Sequence, residues 1–284
     1  MPDFPIIDAH VHLYDPAMVR YDWMQDVPLL NKPHLAGDLD IASGAIAIEG
    51  VVFAEVDAAT GQHLHEALWI SHLTASEKRI RALVVSAPLE NGAQVEADLK
   101  MLAELRGVRG VRRLIQSHVA APGWCLRDDF VEAVQLLPRH GLSFDICILH
   151  PQMADAIELC RRCPDVVFIL DHIGKPGIAA GQWEPWASQL HDLAQLPNVS
   201  CKISGVVTEA NHKNWNADQL KPYIKHVVDC FGFDRVMFGG DWPVVNLASN
   251  YQRWVEIVDD ALTTTQRSDV QKFYCSNAQR IYRM

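Results

Sequence analysis

The sequence predicts an α/β protein, a single (β/α)8 barrel of the TIM type with an extra helix at its C-terminus. Two observations predict it. Short β-branched runs alternate with amphipathic helical patterns, giving eight strands along 284 residues, and parallel strands need such crossovers. Titratable residues also follow most of the apolar runs, at the level where a barrel keeps its catalytic groups. A doubly wound open sheet is the alternative; no G-x-G-x-x-G follows any strand to support it.

The strands read in order as "PIIDAHVH", "GVVFAEVD", "IRALVVSA", "VRGVRRLI", "SFDICILH", "VVFILDHI", "VSCKISGV" and "RVMFGGDW". Between most of them, "GQHLHEALWISHLTAS", "VEADLKMLAELR", "DDFVEAVQLLPRH", "PQMADAIELCRRC", "WASQLHDLAQL" and "LKPYIKHVVDCF" place apolar residues at helical spacing. Pro151 suits a first helical turn, and Gly141 and Gly232 suit the residue just past a helix end. "NYQRWVEIVDDALT" and "SDVQKFYCSNAQRIYRM" supply the last helices. No linker or low-complexity tract interrupts the pattern.

Hydrophobic residues make up 49% of the chain and charged residues 21%, enough for a sizeable core. A net charge of −10 argues against nucleic-acid or anionic-membrane partners, which need a basic surface. The first residues show neither a basic nor an apolar targeting region, and no apolar run approaches the ~20 residues of a membrane span. Seven scattered cysteines suggest no disulfide framework, so a reduced cytoplasm is expected. Cys160 and Cys163 read as half-buried thiols at a helix end. An oligomer is compatible with all of this.

The strand ends carry His10 and His12; Glu55 and Asp57; Arg112 and Arg113; His150; Asp171 and His172; Lys202; and Asp241. Strand alternation puts Asp8, His10 and His12 on one face. Two imidazoles two residues apart on a strand can occupy adjacent positions around a metal. His63 and His65 repeat the spacing in a helical pattern, where such residues do not face each other, and read as surface.

"DAHVH", "ILH", "LDHIGKP" and "FGGDWP", with "YDWM" and "NAQRIY" at the two ends, together resemble the amidohydrolase superfamily. More narrowly the chain is similar to its lactone-hydrolysing branch, the sugar-lactone and dicarboxylic-lactone hydrolases. The resemblance spans residues 1–284 and implies one amidohydrolase-type barrel domain acting on a small-molecule lactone. Binuclear relatives bridge two metals with a carboxylated lysine on the fourth strand, and "GVRGVRRLIQ" has none. The resemblance therefore implies at most one divalent ion, such as zinc, among His10, His12, His150 and Asp241. The branch also contains enzymes that work without metal.

Opening a lactone needs an activated water, a polarised carbonyl and groups that recognise ring substituents. Asp241 is expected as the general base, with His150 and His172 assisting. Arg112 and Arg113 are adjacent, so one faces the barrel interior as a bidentate clamp; Arg113 is the expected one. Lys202 is either a substrate contact or a surface ion pair. Trp23, Trp124 and Trp242 could wall a sugar ring, and Glu55 is either a site acid or a buried ion-pair partner. The rival readings are a metal-dependent decarboxylase of the same superfamily and a non-catalytic binding barrel.

Overall fold

The computed structural model describes residues 2–284. Its eight strands are β1 Ile6–Val11, β2 Ile48–Ala54, β3 Ile80–Ser86, β4 Val108–Leu114, β5 Ser143–Cys147, β6 Phe168–Leu170, β7 Val199–Ile203 and β8 Val236–Phe238. They pair in parallel in that order. Beyond the last regular pairs, a bridge between Val11 and Trp242 joins the two ends of the sheet. There the His12 N–H donates to the Trp242 carbonyl at 2.8 Å and the Asp241 N–H donates to the His10 carbonyl at 2.9 Å. The expected (β/α)8 architecture is therefore present, and every predicted strand exists.

The helical layer begins with α1 Ala36–Ser43, which the periodicity did not mark. It continues with α2 His63–Leu73, α3 Glu96–Glu104, α4 Asp128–Leu136, α5 Met153–Arg162, α6 Trp186–Ala194, α7 Ala217–Phe231 and α8 Tyr251–Ala261. Asn216 and Asn250 accept the Gln219 and Arg253 N–H groups and so cap α7 and α8. Past α8, α9 Arg267–Gln271 leads through a π-turn into α10 Asn277–Ile281.

Two apolar clusters reflect the two faces of the strands. Val51, Phe53, Phe144, Phe168, Ile203 and Phe238 face the helices. Ile7, Ala9, Val52, Ala82, Val84, Ile169 and Met237 fill the barrel interior. Ala278, Ile281 and Tyr282 join this second cluster and close the barrel's N-terminal end. Each fully buried large side chain contributes about 1.5–3 kcal/mol. Asn277 anchors the closure by donating to the Phe233 and Val236 carbonyls at 2.6 and 2.7 Å. This gives "NAQRIY" a structural reason.

The alternation in β1 is broken. Its register against β2 shifts between Asp8 and Val11, and such irregularities re-aim side chains. Asp8 consequently leaves the face of His10 and His12. Its carboxylate accepts from the Gly240 N–H, the His10 N–H and the Tyr251 hydroxyl of α8, at 2.8–3.0 Å. Burial pushes the Asp8 carboxyl up to about 7 despite these bonds.

Candidate active site

At the C-terminal end of the barrel lies a cavity of about 320 Å³. Its polar lining includes His12, His172 and Asp241, with Arg112, Asp57, Gln116, Lys175 and Thr208 around them. Tyr14, Trp23, Leu30, Val56, Leu114, Val244 and Leu247 supply apolar walls. His10 lies fully buried, its ring centroid 4.9 Å from that of His12 and 4.5 Å from that of His172.

Hydrogen bonding decides where the proton of a neutral His12 sits. His12 Nδ1 lies 2.9 Å from the Ala54 carbonyl, an acceptor only, so Nδ1 carries the proton. A neutral His12 then has a bare Nε2, aimed 3.3 Å from Asp241 Oδ1. Arg112 Nη1 approaches His10 Nε2 at 3.3 Å. A guanidinium can only donate, and so can the Lys202 ammonium 3.2 Å from His10 Nδ1, which also lies 3.3 Å from Asp171 Oδ1; the neutral ring turns its one lone pair toward one of the two cations. Burial holds His10 neutral, well below the usual imidazole range, although Asp171 opposes it. His10 Nε2 lies 3.7 Å from the same Asp241 oxygen.

The His12 Nε2 lone pair, His10 Nε2 and the Asp241 carboxylate thus converge. His10, His12 and Asp241 offer atoms within 4.8 Å of one another, and His10, Asp171 and His172 form a second such group. The donor types and the backbone-oriented His12 ring suit one divalent ion. Fixing the unused nitrogen of a ligand histidine is the usual outer-shell device.

Below this layer is a buried charge network. Lys202 is fully buried and pairs with Asp145 at 2.5 Å and Asp171 at 3.1 Å. Tyr282, from the closing segment, donates to Asp145 at 2.7 Å. Arg112 pairs with Glu55 at 2.7 Å and Asp171 at 3.3 Å. Burial pushes the Asp171 carboxyl up, but Lys202 and His10 outweigh it and hold it well below the carboxylate range. Asp241 is also held low: burial opposes, while His172, His12 and Lys175 stabilise the anion. Burial pushes His172 well down, and Ser204 Oγ lies 2.9 Å from its Nδ1.

His172 and Asp241 adopt φ of 52° and 51°, a region that costs non-glycine residues about 1–3 kcal/mol. Such conformations persist where the surroundings over-determine them. Gly205 leaves room for both, since a Cβ there would lie 2.6 Å from His172 Nδ1 and 2.8 Å from Asp241 Oδ2.

Several expectations are corrected. Arg113 faces the helix side and pairs with Glu90 at its Nε (2.9 Å), while Arg112 lines the cavity. The β4–β5 register runs without a shift, so Arg112 and Leu114 share the inner face. His150 does not line the cavity and belongs to neither ligand group. β5 ends at Cys147, and the chain turns into a short 3-10 helix held by Gln152, which bonds the Leu149 N–H and the Ile115 carbonyl. Lys202 is a buried structural cation beneath the site, neither a surface residue nor a cavity contact. Glu55 is an ion-pair partner of Arg112.

Of the three tryptophans, Trp23 alone lines the cavity, its indole N–H donating to the Val56 carbonyl at 2.9 Å. Trp124 stacks on His118 with centroids 3.7 Å apart. Trp242 is buried against His34. Cys160 and Cys163 are fully buried rather than half-buried. His63 and His65 lie on α2, His63 beside Asp98 at 3.3 Å and His65 exposed. Sequence reasoning did not single out Lys175 or Gln116 for the site, whose side chains meet at 2.6 Å on the cavity wall. Lys175 stands inside "LDHIGKP", but its φ of 47° and its distance past the strand hide its direction from any periodicity.

Two histidines at the end of the first strand, one past the sixth and an aspartate past the eighth form a His/Asp centre at the mouth of the barrel. The chain belongs to the amidohydrolase family, whose family model matches residues 7–284. It is 30% identical, over an alignment of 284 residues, to an L-fucono-1,5-lactonase of Burkholderia multivorans, covering 92% of this chain and 91% of that one. It is 24% identical over 339 residues to an L-rhamnono-gamma-lactonase of Scheffersomyces stipitis, with 99% of both chains covered. A crystal structure of a Burkholderia multivorans amidohydrolase with bound zinc superposes with a TM-score of 0.86 at 27% identity, over 99% of this chain and 100% of that one.

Proposed function

We propose that this protein hydrolyses the cyclic ester of a sugar acid or related hydroxy acid, aided by one divalent ion such as zinc. The observation that carries the reading is the convergence of His10, His12 and Asp241 beside a cavity with both apolar walls and polar anchors. The lactonase relatives and the zinc-bound neighbour support it. Seven unpaired cysteines suit a reducing compartment such as the cytoplasm.

His10, His12 and Asp241 would hold the ion, which when bound polarises an ester carbonyl or acidifies water. Asp241, ionised at neutral pH, takes a proton from the water as its oxygen adds to the acyl carbon. Ser204 Oγ lies 2.9 Å from His172 Nδ1; with the hydroxyl donating there, His172 Nε2–H is the donor to substrate oxygen. The bond from the acyl carbon to the ring oxygen then breaks, and the proton taken up by Asp241 passes to that oxygen, which leaves as a hydroxyl. Trp23 flanks the ring, Lys175 and Gln116 meet its polar substituents, and Arg112 is braced by Glu55 and Asp171 at the cavity edge.

A screen of aldonolactones and dicarboxylic lactones with a pH indicator, with and without chelator, tests this. Acid release from a sugar lactone that falls on chelation and returns with zinc is expected. Absence of hydrolysis across the panel overturns the lactonase reading, and full activity in chelator overturns the metal.

A further inference from the structure

The N-terminal end of the barrel, opposite the candidate active site, carries a second cavity of about 300 Å³. Its charged lining consists of Arg235, Arg280 and Arg283, and no carboxylate lines it. Backbone carbonyls hold each guanidinium. Arg235 donates to Ala194, Leu196 and Val199, Arg280 to Asp234, and Arg283 to Arg109 and Gly141. These bonds satisfy donors without neutralising charge. Among the described residues none of the three forms an ion pair. Asp234, the acid beside Arg280, pairs its carboxylate with Lys272 at 3.0 Å.

The surroundings add positive charge. A further cavity on the same end, of about 410 Å³, has Lys78, Arg81, Arg106 and Arg109 on its lining beside Met284, and no acidic side chain. The two meet where Arg109 Nε donates to the Arg283 carbonyl at 3.4 Å. Acids outnumber lysines and arginines 35 to 25 in this chain, so seven basic lining side chains with no acidic side chain run against its composition. Burial pushes the Arg283 guanidinium down, and the like charge of Arg109 adds to it. A neutral amide could bond the same carbonyls without this repulsion, so the charges call for a ligand.

We propose that the cavity lined by Arg235, Arg280 and Arg283 is an oxyanion site for phosphate, free or as a monoester. Guanidinium forks match phosphate oxygens bidentately. A tetrahedral phosphate carries nearly two negative charges where a carboxylate carries one, and three arginines without an ion-pair partner match that charge. Ser143 and Ser200 supply neutral hydroxyls on the same lining, and the second basic cavity focuses the field toward the first. The volume admits a small phosphorylated metabolite.

The test titrates inorganic phosphate, glucose 6-phosphate and, at matched ionic strength, sodium chloride into the intact protein, by calorimetry and thermal midpoint. Saturable one-to-one binding with a raised midpoint is expected for phosphate and absent for chloride. Tighter binding of glucose 6-phosphate assigns the monoester, and equal or weaker binding assigns the free ion. Arg280→Met and Arg283→Met should each weaken binding by at least about tenfold, and Arg280→Glu should abolish it, all with unchanged lactone hydrolysis. A chloride response equal to that of phosphate, or folded variants that bind like wild type, overturns the proposal. If Arg283→Met does not fold, the two Arg280 variants decide alone.

Discussion

His12 Nε2 lies 3.3 Å from Asp241 Oδ1, and with a neutral imidazole both atoms are acceptors because Nδ1–H donates to the Ala54 carbonyl. Two acceptors at that distance repel unless a cation lies between them. Elemental analysis of protein purified with zinc should therefore find one ion per chain, and His12→Gln should lose it. Zinc at about 100 times its Kd should stabilise wild type by about 2.7 kcal/mol. Two tightly bound ions per chain would contradict the lysine-free strand β4.

Arg112→Met removes one partner of two buried carboxylates, Glu55 and Asp171. Leaving buried charge uncompensated costs about 3–5 kcal/mol. The half-exposed pair of Arg113 with Glu90 is worth about 0–1 kcal/mol. Denaturant unfolding should show a large loss for Arg112→Met and almost none for Arg113→Met, and steady-state kinetics should follow the same order. Equal effects would mean that β4 does not hold its alternation.

Glu66, on α2, is buried and accepts from the Tyr21 hydroxyl and the Val56 N–H at Oε1, while Oε2 has no hydrogen-bond partner. Burial, reinforced by Glu55, pushes its carboxyl up to about 8. In the unfolded chain it titrates in the ordinary carboxylate range. The folded state therefore binds more protons between those two values, and stability falls as pH rises from about 4.5 to about 8, then levels off. Glu66→Gln removes that slope. Melting curves should show wild type losing ground to the variant across this range, and parallel curves would show that Glu66 is ionised throughout.

Most of the fold was readable because apolar runs and helical periods report burial directly. Direction at the strand ends was less readable. Arg112 obeyed alternation in an unbroken register, whereas Asp8 was turned aside by the irregular register of β1. His150 was misplaced because "ILH" continues the apolar pattern after the hydrogen-bonded strand has ended at Cys147. Lys202 looked ambiguous because its two carboxylate partners, Asp145 and Asp171, come from other strands. Such pairing is decided by barrel closure, which no local window contains.

Asp241 follows β8 through Gly239 and Gly240, where any Cβ would collide with neighbouring atoms at 2.3–2.9 Å. The glycines let this segment pass close to His10, Asp8 and Tyr251 and set the aspartate at the cavity floor. Its backbone N–H is tied to His10 and its carbonyl accepts from Val245, so the carboxylate is held from both sides. Asp241→Asn keeps this shape and can still offer an oxygen to a metal, but it cannot accept the proton of an attacking water. With a good lactone substrate, kcat should fall by about 10²- to 10⁴-fold, the range of a lost general base. Zinc content and the thermal midpoint should change little. Activity within tenfold of wild type would remove Asp241 as the base and pass the role to His172, whose Nδ1 lies 3.9 Å from Asp241 Oδ2.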